Sequence, residues 1–102
     1  MSSQALRALA EPRRLEMLRL VRDRPRSAGE IGGHFDITQQ AVSQHLKVLA
    51  EAGLVTVQRS GKNRMYSLDA AGLQALDSFL TDLWPEGLRR LKRAVESESD
   101  RS

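Results

Sequence analysis

Cysteine is missing from all 102 residues, which excludes disulfide frameworks, thiolate metal sites, thiol redox switches and cysteine nucleophiles together. Long apolar runs are missing too: no stretch approaches the roughly 18 residues of a membrane span, and residues 1–7 hold no apolar signal core. These absences predict a chain that is neither exported nor anchored, with a cytoplasmic location. Catalytic signatures are equally scarce. There is no glycine-rich phosphate loop and no zinc-hydrolase spacing. Ser43 and His45 lie two apart on one predicted helix, so their side chains diverge, and no acid is placed to orient the imidazole. No enzyme activity and no cofactor are expected. Phe35, Tyr66, Phe79 and Trp84 are the only aromatics, yet 40% apolar and 28% charged residues keep the chain among soluble globular proteins and away from collagen-like or disordered ones. The length suits one domain with one modest core.

What is present is unevenly charged. Residues 1–68 hold eleven Lys and Arg against six Asp and Glu, whereas residues 69–102 hold five against seven. The basic part is where a polyanion would dock, although arginines on a solvated surface would give the same count.

Periodicity and punctuation divide the chain into a mostly helical domain with one small hairpin. Ala5, Leu6, Ala8 and Leu9 suggest a short opening helix over 3–10; Pro12 suits the first turn of a second, with Leu15, Leu18 and Val21 at helical spacing. Ser27 and Glu30 have the spacing of a capping box, so a third helix starts there, short and loosened by Gly29, Gly32 and Gly33. Thr38 is placed to cap a fourth helix over 39–52, which Gly53 closes in the left-handed conformation. Residues 54–59 and 64–68 read as two strands, with 60–63 as the turn between them. Asp69 caps a further helix in which Leu73, Leu76, Leu80 and Leu83 repeat at three-four-three spacing; Pro85 kinks or restarts it, and Leu88, Leu91 and Val95 continue on a shifted face over the span 70–95. The domain is expected to span 1–95, and 96–102 reads as a frayed, flexible tail.

Two short helices joined by a tight turn and followed by a basic hairpin describe a winged helix-turn-helix, whose second helix would enter a DNA major groove. On the wheel of the fourth helix Val42, Leu46 and Leu49 fall on one face, while Gln39, Gln40, Ser43, Gln44 and Lys47 fall on the other. Glutamine can pair with adenine in bidentate fashion, serine and threonine with bases or phosphates, and lysine with guanine or a phosphate. A merely solvated face would carry Glu–Lys pairs, but residues 37–50 contain no acid. Gln39, Gln40, Ser43 and Gln44 are therefore the candidate base readers. Thr38, Lys47, Arg59, Lys62 and Arg64 are the candidate phosphate and wing contacts, the last three in a hairpin without an acidic residue.

At these residues the chain resembles the ArsR/SmtB family of bacterial winged-helix repressors. The matching words are Leu9-Ala10-Glu11-Pro12-Arg13-Arg14-Leu15, Ala41-Val42-Ser43-Gln44-His45-Leu46-Lys47-Val48-Leu49 and Ala52-Gly53-Leu54-Val55, followed by Arg64-Met65-Tyr66-Ser67-Leu68, within a resemblance that covers residues 4–95. It implies a homodimeric transcriptional regulator, usually a repressor, that binds double-stranded DNA and pairs through its first and last helices. Leu6, Leu9, Leu73, Leu76, Phe79, Leu80, Leu83 and Trp84 are the candidate dimer surface. It also suggests that His45 packs beside the Val42 and Leu46 stripe and bonds a phosphate. Gly32-Gly33 departs from the family, whose third helix carries better helix formers. So does the metal chemistry: the sensing cysteines are absent, both histidines precede the wing, and Asp77, Asp82 and Glu86 have no imidazole near them. His34 and Asp36 alone do not make a site. No metal is expected, and the sequence leaves an effector or partner protein unspecified. Two rival readings are a winged-helix protein-interaction module, against which the acid-free face argues, and a MarR-like repressor, against which the short leader before Pro12 argues.

Overall fold

Four helix starts carry a side chain that closes the first turn, and these caps set the element boundaries. The computed structural model describes residues 3–101; the side chains at 88, 91, 92 and 98–101 lie outside the described set, and with them the apolar continuation expected at Leu88 and Leu91. Helices α1 (Ser3–Leu9) and α2 (Pro12–Leu20) come first. Glu11 caps α2 by accepting the Arg14 N–H at 3.1 Å, and Pro12 occupies the first turn, where its missing N–H costs nothing. Ser27 and Glu30 form the expected capping box at the start of α3 (Ala28–Gly32). Thr38 Oγ1 accepts the Ala41 N–H at 3.0 Å and opens α4 (Gln39–Glu51).

Helix α4 ends as Gly53 demands. Gly53 takes φ +77°, its N–H reaches the Ala50 carbonyl, and the Leu54 N–H reaches that of Leu49, the paired bonds of a Schellman motif. The chain then enters a hairpin of β2 (Val55–Ser60) and β3 (Asn63–Leu68). Asp69 caps α5 (Ala70–Leu83), and its own N–H donates to the Leu54 carbonyl at 3.0 Å, which ties the entry of the hairpin to the start of the helix. Gly72 lies so close to Gly53 that a Cβ there would overlap the Gly53 carbonyl oxygen. Helix α6 (Pro85–Arg101) follows.

The core sits between α2, α3, α4 and the root of the hairpin. Met17, Val21, Ile31, Val42, Leu46, Leu49 and Leu54 are its largest fully buried side chains, joined by Ala5 and Ala8 from α1 and Tyr66 from β3. It is aliphatic and nearly without polar atoms, so hydrophobic burial is the principal stabilising term.

The structure departs from the sequence reading at three places and decides a fourth that the sequence left open. A third strand, β1 (Arg26–Ser27), pairs antiparallel with β3, Arg26 opposite Tyr66 and Ser27 opposite Met65, giving the sheet order β1-β3-β2. Two residues, the second of them the α3 cap itself, carry no alternation to detect. The strands also extend one residue further at the turn, leaving a two-residue loop of Gly61 and Lys62; Gly61, at φ +64°, supplies the conformation that a tight hairpin needs at its first loop position. Of the two outcomes open at Pro85, a kink or a restart, the structure takes the restart, because the residue before a proline is pushed out of helical geometry and Trp84 takes φ −143° and ψ 67°. Finally, α6 carries helix through residues 96–101, the stretch expected to fray. Its serines and acids are tolerated in a helix already nucleated upstream.

Candidate nucleic-acid interface

The buried stripe of α4 fixes its rotation. With Val42, Leu46 and Leu49 in the core, Gln40, Ser43, Gln44 and Lys47 fall together on the exposed side, three or four residues apart and thus one above another. Among the described residues no intramolecular hydrogen bond engages the side chains of Gln40, Ser43 or Gln44. Lys47 makes a 4.0 Å contact with Glu51, an exposed pair of negligible strength, so its ammonium is available to an anion. Thr38 occupies the cap and lends its backbone to the same end of the helix.

Two of the candidate residues already have intramolecular partners. Gln39 turns its amide toward α3, where Nε2 donates to the Ala28 carbonyl at 3.0 Å. His45 is half-buried, with Nδ1 3.4 Å from Arg14 Nη1. A guanidinium carries donors only, so in this contact Nδ1 is placed to accept and Nε2 remains for another partner.

Arg14 is a residue that sequence reasoning missed. Its Nε donates to the Ala8 carbonyl at 2.7 Å and its Nη2 to that of Arg7 at 3.1 Å, so one guanidinium satisfies the C-terminal carbonyls of α1 and touches α4 through His45. Spacing alone does not separate it from exposed Arg13, whose contact with Glu11 is a loose 3.6 Å. The candidate wing is built by β2 and β3. Their register sets Arg59 directly opposite Arg64 and Ser60 opposite Asn63, with Lys62 in the loop, all exposed. Like charges facing across strands are unfavourable by a few tenths of a kcal/mol or more, roughly. A phosphate brought to the pair would turn that repulsion into attraction.

The candidate dimer surface is on α1 and α5. No residue of α5 is fully buried. Leu9, Leu73, Leu76 and Phe79 are half-buried, whereas Leu6 and Leu80 are exposed and Leu83 and Trp84 are bare at 69% and 60%. The Trp84 ring lies over Gly87, where a Cβ would collide with it. Among the described residues no three His, Asp or Glu come together as metal ligands, and no helix is long and apolar enough to cross a membrane.

Comparison with known proteins places this geometry in a family. The family model for a helix-turn-helix domain matches residues 9–58, from the end of α1 through most of β2. The HTH-type transcriptional regulator Rv2034 of Mycobacterium tuberculosis is 36% identical over 97 residues, 95% of this chain and 91% of that protein. The chain belongs to the ArsR/SmtB family. Solved structures agree with the ArsR/SmtB assignment. A crystal structure of a possible transcriptional regulator for arsenical resistance superposes with a TM-score of 0.75 at 38% identity, covering 86% of this chain and 92% of that one. The solution structure of Mb0332 from Mycobacterium bovis, a homodimeric winged helix-turn-helix DNA-binding domain, gives 0.66 at 25% identity over 82% and 78%. The ArsR/SmtB family is one of DNA-binding transcription regulators and not of enzymes.

Proposed function

We propose that this ArsR/SmtB-type protein is a cytoplasmic, homodimeric transcriptional repressor that reads a palindromic operator in double-stranded DNA. The observation that carries the reading is the exposed face of α4: Gln40, Ser43 and Gln44 free of internal partners, Lys47 beside them, and no acid before Glu51. In this reading Gln40, Ser43 and Gln44 contact base edges, the Thr38 end of the helix and Lys47 hold phosphates, and Arg59, Lys62 and Arg64 grip the backbone beyond the half-site. His45 adds a phosphate hydrogen bond from Nε2, the ring nitrogen not engaged with Arg14. Two copies pair through α1 and α5, burying Leu6, Leu80, Leu83 and Trp84 and setting the recognition helices about one DNA turn apart. The domain proper is residues 1–95. Repression follows from occupancy: a dimer on its operator excludes other proteins from the same DNA.

Selection of bound duplexes from a random pool at near-physiological salt tests the reading. A palindrome should be enriched. Gln44→Ala should then lose preference at one base position by about 5- to 100-fold, the worth of a bidentate contact. Arg59→Ala should weaken enriched and scrambled duplexes alike and lower the salt slope by about 1. Equal loss on both duplexes for Gln44→Ala would defeat the base-reading assignment.

A further inference from the structure

Helix α3 spends two of its five positions on glycine, Gly29 and Gly32, and takes a third, Gly33, as its C-cap, although glycine is a poor helix former. The structure shows what Gly32 makes room for. The first residue of α4, Gln39, folds back across α3, and its Nε2 bonds the carbonyl of Ala28, the first residue of that helix. Its amide lies directly over Gly32: a Cβ at that position would overlap Gln39 Oε1 and stand 3.3 Å from Cδ and 3.5 Å from Nε2. The bridge spans α3 and the turn that follows it.

We propose that Gln39 is a positioning residue that sets the angle at which α4 is presented to DNA, with Gly32 as its seat, and that it reads no base. The inference rests on α4 being the DNA-reading helix. The packing of Ile31, Val42 and Leu46 holds α3 and α4 together, but apolar contact is non-directional and leaves α4 free to roll by small angles. A directional bond from the tip of a long side chain removes that freedom at the end of α4 where Gln40, Ser43 and Gln44 begin. The same geometry bars Gln39 from reading adenine. Bidentate pairing needs both ends of the amide, and here Nε2 is bonded to Ala28 while Oε1 lies against Gly32.

The test uses Gln39→Ala, Gly32→Ala and the double variant on the enriched duplex and its single-base variants, with thermal unfolding alongside. Gln39→Ala should bind about 3- to 10-fold more weakly, the worth of one directional hydrogen bond, with its preference at every base position unchanged. Gly32→Ala should match it, because the new methyl group displaces only the far end of the Gln39 side chain, while its melting temperature holds or rises, alanine being the better helix former. The double variant should be no weaker than either single one. A changed base preference in Gln39→Ala would make Gln39 a reader and overturn the proposal; so would wild-type binding by Gly32→Ala or additive losses in the double variant. Gln44→Ala is the control. If its preference is also unchanged, α4 is not the reader and both assignments fall; if Gln44→Ala responds and the other variants do not follow the pattern, the positioning role alone fails.

Discussion

Replacing Gly72 by alanine sets two magnitudes of opposite sign against each other. Within an ordinary helix the change would add stability, up to about 1 kcal/mol. Here the methyl group must enter the corner where α5 crosses the end of α4. Besides overlapping the Gly53 carbonyl oxygen it would stand 2.8 Å from the carbonyl carbon, against an ordinary contact of about 3.5–4 Å. The obstacle is backbone, and that backbone is held: Gly53 is fixed at φ +77° by the α4 terminus, and Leu54, fully buried, bonds both Leu49 and Asp69. Relief requires α5 to move away by about 1 Å, an overpacking that costs typically 1–3 kcal/mol, and it strains the Asp69 to Leu54 bond, worth about another 1 kcal/mol. Net of the propensity gain, Gly72→Ala should destabilise by about 2 kcal/mol, a fall in Tm of roughly 8–16 °C for a domain of this size. Urea unfolding at fixed protomer concentration reads the effect as a lower midpoint at unchanged slope. A variant as stable as the wild type would refute the close approach of α5 to Gly53, and with it the placement of the surface that α5 presents.

Three further outcomes follow from particular contacts. Arg14→Met keeps the aliphatic stem but removes the bonds to Ala8, Arg7 and His45; a loss of about 2 kcal/mol is expected, with faster hydrogen exchange in α1. Arg14→Lys should not recover it, since an ammonium cannot span the fork of acceptors, and full recovery would count against the clamp. Leu80→Glu should convert dimers to monomers in sedimentation, and an unchanged dimer would move the interface off α5. The Arg24 guanidinium first, then the Ser27 N–H, hold the Glu30 carboxyl below its ordinary value. A depressed folded pKa means stability that is complete above the ordinary carboxylate value and drains as pH falls through the lower, folded one. Glu30→Gln should flatten that part of the acid-unfolding profile, and an identical profile would acquit Glu30 of any share in it.

Much of the site was legible because it is written in local rules. The caps at Ser27, Thr38 and Asp69, the Gly53 stop and the hairpin are each set by residues a few positions apart, and all form. The rotation of α4 was legible too, since the stripe of Val42, Leu46 and Leu49 can point only at a core. What escaped were contacts between residues far apart in the chain. Arg14 reaches His45 across 31 positions and Gln39 reaches Ala28 across eleven, and no periodicity records either.

The division has one physical cause. Hydrophobic periodicity, capping chemistry and turn residues act within one or two turns of chain, so the sequence by itself determined the helices, the hairpin, the acid-free face and the ArsR/SmtB resemblance. Side-chain reach and backbone proximity depend on where separate elements come to rest. Only the tertiary structure decided that Gln39 bridges back to α3 while Gln40 and Gln44 stay free, that Arg14 joins α1 to α4, and that Gly72 makes room for Gly53.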